Sequence, residues 1–178
     1  MNLSHEHNIS ILSMNIWGQT NLTLQKQLQI EDLIKFHKSD IIHLQETDFD
    51  DKTFSACKFI TNNYTVIANN SPTGYSTSSL VRNDLDVENI SFDTSGRVIV
   101  FDIQNVTHCN VYLEAGTDAI SRSARENYLS EVIPNLLINR CSVGYICGDW
   151  NCIADAEDAT HHPNSKISTS LKRLIKNF

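Results

Sequence analysis

The period of the apolar positions changes several times along the chain. Residues 9–16 alternate loosely, as a strand does. From Asn21 to about Lys38 the pattern turns helical: Leu24, Leu28, Ile30, Leu33, Ile34 and His37 approximate a 3.6-residue stripe, with Asn21 as the N-cap. Residues 40–46 are a second, buried strand that becomes polar at Gln45 and Glu46. A short helix follows, capped by Asp50 or Asp51 and burying Phe54, Cys57 and Ile60. The middle third is β-rich, with strands expected at 64–68, 76–82, 87–92, 97–104 and 108–113. Turn chemistry separates several of them, at Ser71-Pro72-Thr73-Gly74, Asn83-Asp84 and Ser95-Gly96. A helix over 121–138 shows Ala124, Tyr128, Val132 and Leu136 on one face, and Pro134 inside it predicts a kink or an early end. A strand over 143–151 and a helix over 168–178 complete the pattern, the latter with Leu171, Leu174, Ile175 and Phe178 at helical spacing.

A strand-helix-strand opening, a β meander and a helix-strand-helix close predict an α/β fold, a two-layer β-sandwich flanked by helices. At 178 residues and 40% apolar content, one domain over residues 9–178 is expected, after a disordered N-terminus at 1–8. The last helix ends on its apolar face without a C-cap, so the fold is expected to be incomplete at the C-terminus, a truncated domain or an incomplete gene product.

The formal net charge of −7 argues against nucleic-acid binding through bulk positive charge. It leaves room for an enzyme that meets DNA through a few local cations and a metal ion. The five cysteines form no C-x-x-C pair, so neither a zinc knuckle nor a disulfide framework is indicated, and reduced thiols in an intracellular protein are expected. The N-terminus lacks the basic and apolar regions of a signal peptide, and no run reaches transmembrane length, so no membrane partner is expected.

The chemistry concentrates at strand ends. In Gly148-Asp149-Trp150-Asn151 an apolar run stops at a glycine and then presents a carboxylate and a carboxamide two residues apart. In extended chain these share a face, with Trp150 turned away. Two earlier strands end alike, in Asn15 and in Glu46. If neighbouring strands deliver all of these to one edge, the donors are hard oxygens suited to Mg2+ or Mn2+. Tyr112, also coming off a strand, adds a phenol within reach.

The order Ser13-Met14-Asn15-Ile16-Trp17-Gly18, Leu44-Gln45-Glu46-Thr47, Asn110-Val111-Tyr112 and Gly148-Asp149-Trp150-Asn151 resembles the endonuclease/exonuclease/phosphatase (DNase I-like) superfamily. The connecting segments are similar to the endonuclease domains of non-LTR retrotransposons. These are Ser79-Leu80-Val81-Arg82-Asn83-Asp84-Leu85, Gly96-Arg97-Val98-Ile99-Val100, the arginine-bearing helix before Gly148, and Lys166-Ile167-Ser168-Thr169-Ser170-Leu171 after Asp158. The resemblance covers residues 9–178.

It implies the four-layer DNase I-like fold and a Mg2+- or Mn2+-dependent phosphodiesterase that nicks DNA, partnered by a downstream reverse transcriptase and nuclear if the retroelement is active. Glu46 would be the main metal ligand, with Asn15 beside it on metal or phosphate. Asp149 would align or activate the attacking water, Asn151 would bind phosphate and hold Asp149, and Tyr112 would stabilise charge on the phosphate or the leaving oxygen. Arg97 and Arg125 are candidates for the nucleic-acid backbone. Plainer roles are a core tyrosine for Tyr112, an edge-strand cation for Arg97, an ion-pair partner of nearby acids for Arg125, packing for Trp17 and Trp150, and solvated loop residues for His161 and His162.

Two departures from the family pattern are visible. The closing Ser-Asp-His segment is missing, and Glu114-Ala115 stands where the family often has proline and a small polar residue. Both predict weak or absent activity for this polypeptide. Two other functions therefore compete with the endonuclease: an inactive remnant or binding module of the same fold, and a phosphatase acting on a small phosphoester.

Overall fold

A computed structural model describes residues 8–17, 23–47, 49, 52–72, 74, 76–140, 142–158 and 167–177. Expectations attached to residues 1–7, Asn21, Asp50, Asp51, His161, His162 and Phe178 lie outside them. The elements are β1 (Ile11–Asn15), α1 (Leu24–His37), β2 (Ile41–Thr47), α2 (Lys58–Asn63), β3 (Tyr64–Asn69), β4 (Ser76–Arg82), β5 (Glu88–Phe92), β6 (Val98–Ile103), β7 (Val106–Tyr112), α3 (Ala119–Asn127), α4 (Ile133–Leu137), β8 (Val143–Asp149) and α5 (Thr169–Lys176).

Two four-stranded mixed sheets form, in the orders β1-β2-β4-β3 and β5-β6-β7-β8. The β1/β2 and β7/β8 pairs are parallel, which requires crossovers; α1 supplies the first, and α3 with α4 the second. The sheets stack so that β1 lies across from β8 and β2 across from β7. The two parallel pairs therefore end at the same edge of the sandwich, and this is what positions the site.

Three apolar clusters make the four layers. Ile42, Leu44 and Leu80 pack on Ile30 and Ile34 of α1 and Ile60 of α2. Val98, Val100, Cys109 and Val111 pack on Leu129, Ile133, Leu137 and, from α5, Leu171 and Leu174. Ile41, Val81, Ile99, Phe101 and Ile103 fill the space between the sheets. Toward the parallel-strand ends this inner layer turns polar: Gln45 Nε2 donates to Asn110 Oδ1 at 2.8 Å across the sheets, and Asn110 Nδ2 donates to the Ser78 carbonyl at 2.9 Å. Each buried amide is satisfied, so the polar layer fixes sheet-to-sheet alignment without leaving orphan groups.

Several boundaries differ from expectation for identifiable reasons. Thr23 caps α1, accepting from Lys26 N at 3.3 Å. Leu24, Leu28 and Leu33 stay largely exposed, while Glu31 is buried, where it accepts from Phe59 N at 2.6 Å and so holds the first turn of α2. Phe54, Cys57 and Ile60 are buried as predicted. Pro134 stands at the start of α4, which ends three residues later at Leu137. A π-helical turn at Tyr128–Val132 precedes it and joins α3 to α4, accommodating the missing N–H and the crowded preceding carbonyl. No helix among the described residues is long and apolar enough to cross a membrane.

Candidate active site

Strand alternation decides which side chains enter the inner layer. On β1, Ser13 bonds Gln45 there, and Asn15 follows at i+2. On β7, Asn110 is followed by Tyr112, and on β8 Tyr145, stacked on His108, begins the row that reaches Asp149. Tyr112 and Asp149 are register partners, as are Asn15 and Gln45.

Glu46 breaks this rule. By alternation it shares the face of Ile42 and Leu44, which pack against α1. A β-bulge between Gln45 and Thr47 corrects the direction: Gln45 pairs with Thr77 and Thr47 with Ser76, leaving Glu46 as the extra residue at φ +55. A left-handed glutamate inside a strand costs about 1–3 kcal/mol, and in return its carboxylate reaches Asn15 and Tyr112.

The groups then meet. Asn15 Nδ2 donates to Glu46 Oε1 and to Asp149 Oδ2, both at 2.9 Å. Tyr112 Oη donates to Glu46 Oε1 at 3.0 Å. One amide nitrogen thus bridges two carboxylates from opposite sheets, and a phenol braces one of them. Burial, and then the Glu46 charge, raise the Tyr112 hydroxyl well above its usual range, so it is a proton donor throughout the physiological range. The Arg97 guanidinium lies 5.1 Å from the Tyr112 ring centroid. Asn15, Gln45, Asp149 and Asn151 line an open cleft of about 480 Å³.

Gly148 lets the end of β8 lie close against β7. Its φ is +147, and a Cβ there would lie 1.9 Å from the Val111 carbonyl oxygen, closer than any side chain tolerates.

Four of the predicted residues therefore come together: Asn15, Glu46, Tyr112 and Asp149. Asn151 is adjacent but differently placed. The strand ends at Asp149, and Asn151 has φ +48, so the extended i, i+2 geometry does not hold. Its Nδ2 donates to the Leu113 carbonyl at 2.9 Å and its backbone N–H to Asp149 Oδ1 at 3.1 Å, so it clamps Asp149 and the end of β7. Asn15 presents its nitrogen to the carboxylates, while its Oδ1 accepts from Trp17 N at 2.7 Å.

The two arginines expected on a nucleic-acid backbone are committed inside the fold. Arg125 is 1% exposed and donates from Nη1 to the carbonyls of Glu114 and Gly116, each at 2.8 Å; a side chain so enclosed does not reach a phosphate. Arg97 pairs with Glu114 at 2.5 Å. That pairing also offsets the negative charge that Glu114 places near the cleft. Trp17, expected to pack, is instead 84% exposed, and Trp150 is half-buried against the outer core. Among the described residues no cluster of three or more His, Cys, Asp or Glu is suited to a metal. The donor set here is instead two carboxylates with an amide between them.

No known family model and no curated protein matches the sequence. Solved structures do. A truncated TDP2 from Caenorhabditis elegans is 22% identical over 88% of this chain and 66% of its own, with a TM-score of 0.62. An AP endonuclease from Archaeoglobus fulgidus is 20% identical over 95% of this chain and 69% of its own, at 0.68. The 3' phosphatase NExo from Neisseria, bound to a product DNA hairpin, is 18% identical over 96% of this chain and 70% of its own, at 0.70. The chain spans 66% of the truncated C. elegans TDP2 and 51% of a longer one. These likenesses establish the DNase I-like α/β fold, two mixed sheets with helices outside.

Proposed function

We propose that the chain is a divalent-metal-dependent phosphodiesterase acting on DNA, of the nicking type that serves a retrotransposon and works with a reverse transcriptase. The observation that carries this reading is the convergence of Asn15, Glu46, Tyr112 and Asp149 from four strand ends of two sheets into one hydrogen-bonded cleft. Such a set has no evident structural purpose at an open sandwich edge, where two carboxylates repel each other. Support also comes from the neighbours: one is named an AP endonuclease, and another is a 3' phosphatase holding product DNA.

The donors fit a hard cation. The ligands are the carboxylate oxygens of Glu46 and Asp149, which face each other across the Asn15 N–H₂ group, whose partial positive charge stands where a cation would. Glu46 would hold Mg2+ or Mn2+, with Asn15 beside it. A bound cation would neutralise charge on the phosphoryl oxygens and the leaving oxygen. Asp149 accepts a proton from, and aligns, the attacking water; Asn151 holds that carboxylate from behind through its backbone N–H. Tyr112, kept protonated, donates toward the oxygen that gains charge.

The test is nicking of supercoiled plasmid by the wild type and by Glu46→Gln in Mg2+, alongside release of phosphate from a 3'-phosphorylated oligonucleotide. Nicking by the wild type that is lost in Glu46→Gln supports the reading, measurable nicking that is equal in both removes Glu46 as the ligand, and no nicking by either favours the inactive binding module. Phosphate release without nicking would instead favour a phosphomonoesterase. A second readout is independent of turnover: Mg2+ should raise the unfolding temperature of the wild type more than that of Glu46→Gln.

A further inference from the structure

Two residues past Asn15 the chain exposes a tryptophan. Trp17 is 84% accessible, yet its backbone is held firmly. Its N–H donates to Asn15 Oδ1 at 2.7 Å, its carbonyl accepts from Lys26 Nζ at 2.7 Å, and its φ is +54. A non-glycine residue in the left-handed region carries strain of about 1–3 kcal/mol, and leaving an indole in water forfeits its burial energy. Packing accounts for neither cost. The residue that anchors the Trp17 backbone is the same amide that bridges Glu46 and Asp149. An aromatic plane and an ammonium group therefore stand together immediately beside the candidate chemistry, in a chain of net charge −7 where cations are scarce.

We propose that Trp17 is a stacking platform for an unpaired nucleobase next to the scissile phosphate, with Lys26 facing an adjoining phosphate. This rests on the DNA reading above and specifies its substrate. Within an intact duplex both faces of each base are covered by their neighbours. An exposed indole on a held backbone gains contact only where a base is unstacked, at a frayed end, a flap, a junction or in a single strand. The geometry thus selects strands with unpaired nucleotides over fully paired DNA.

The experiment measures binding by fluorescence anisotropy in Mg2+, using a labelled single-stranded 12-mer, the same strand built from abasic sugar-phosphates, and a blunt duplex. The wild type should bind the base-bearing strand most tightly. Trp17→Ala should weaken that complex by about 10- to 100-fold and leave the abasic strand unchanged. Trp17→Phe should restore most of the loss and Trp17→Leu little of it, which separates a π face from mere apolar bulk. Lys26→Gln should weaken both single strands alike and lower the salt slope by about 0.7. If the wild type binds DNA but Trp17→Ala binds the base-bearing strand equally well, the stacking role is overturned while the DNA reading stands. If the wild type binds none of the three, both fall.

Discussion

Tyr112 donates its hydroxyl to Glu46 at 3.0 Å, and that bond joins Gln45–Asn110 in tying β7 to the bulge in β2 across the two sheets. Glu46 is in a left-handed conformation that its own strand does not favour, so a donor from the opposite sheet helps to hold it. Tyr112→Phe keeps the ring against Arg97 and removes only the hydroxyl. We expect unfolding free energy to change by about 1 kcal/mol or less and the nicking rate to fall about 100-fold, mostly in kcat. A Tyr112→Phe enzyme that nicks at the wild-type rate would reduce the phenol to a packing group.

Gly148→Ala tests the approach of β8 to β7. The added methyl would meet the Val111 carbonyl oxygen at 1.9 Å and sits at a φ that L-residues avoid. Because the obstacle is backbone inside a parallel ladder, it cannot swing aside as a flexible side chain would. Urea unfolding should show a loss of about 3 kcal/mol or more. Any folded protein should also lose activity, since Asp149 is the next residue. A loss below about 1 kcal/mol would mean that the β8 end is not held as described.

Much of this was legible from sequence because strand periodicity and polar strand ends are local signals. Asn15, Tyr112 and Asp149 all obey alternation, so their arrival in the inner layer follows from counting. Glu46 does not. Its recruitment depends on a bulge, and nothing in Ile41–Thr47 announces the left-handed residue that makes one. The polar inner layer was also hidden, since Gln45 and Asn110 explain each other only when the sheets are stacked. Asn151 misled because an i, i+2 argument assumes extended backbone, and the strand stops two residues too early. Arg125 misled because a charged residue on a polar-looking helix is ordinarily solvated, whereas the loop after β7 needs its carbonyls capped.

That capping makes a prediction of its own. Arg125→Met fills similar space but leaves the Glu114 and Gly116 carbonyls without their donor. Stability should drop by about 2–3 kcal/mol. DNA affinity of the folded fraction and its salt slope should not change, because the guanidinium is enclosed. A salt slope reduced by about 1 with stability intact would return Arg125 to the nucleic-acid backbone.

Acid should weaken the fold through two histidines that lie between the sheets. Phe101, His108 and Tyr145 form a continuous stack, and His43 lies against Phe101. Burial, and then the proximity of His108, push His43 down to about 3; burial pushes His108 down to about 4, with Asp102 opposing. Both rings are therefore neutral in the folded protein at pH 5, while in the unfolded chain they begin to protonate near 6.5. The unfolded state then binds more protons, so stability falls as pH drops. It is level above about pH 7 and declines by about 1.4 kcal/mol per pH unit for each histidine between roughly 6 and 4. The decline attributable to His108 ends near pH 4 and that of His43 near pH 3, where the folded protein takes up the same protons. His108 offers the cleaner test, because neither ring nitrogen has a hydrogen-bond partner among the described residues. His108→Phe keeps an aromatic plane between Phe101 and Tyr145 and removes a buried unsatisfied N–H. Urea unfolding at pH 7.5, 6.0 and 5.0 should show a gain of about 1 kcal/mol at the highest pH and a shallower loss toward the lowest. If the variant loses stability with pH as steeply as the wild type, the slope belongs to other groups.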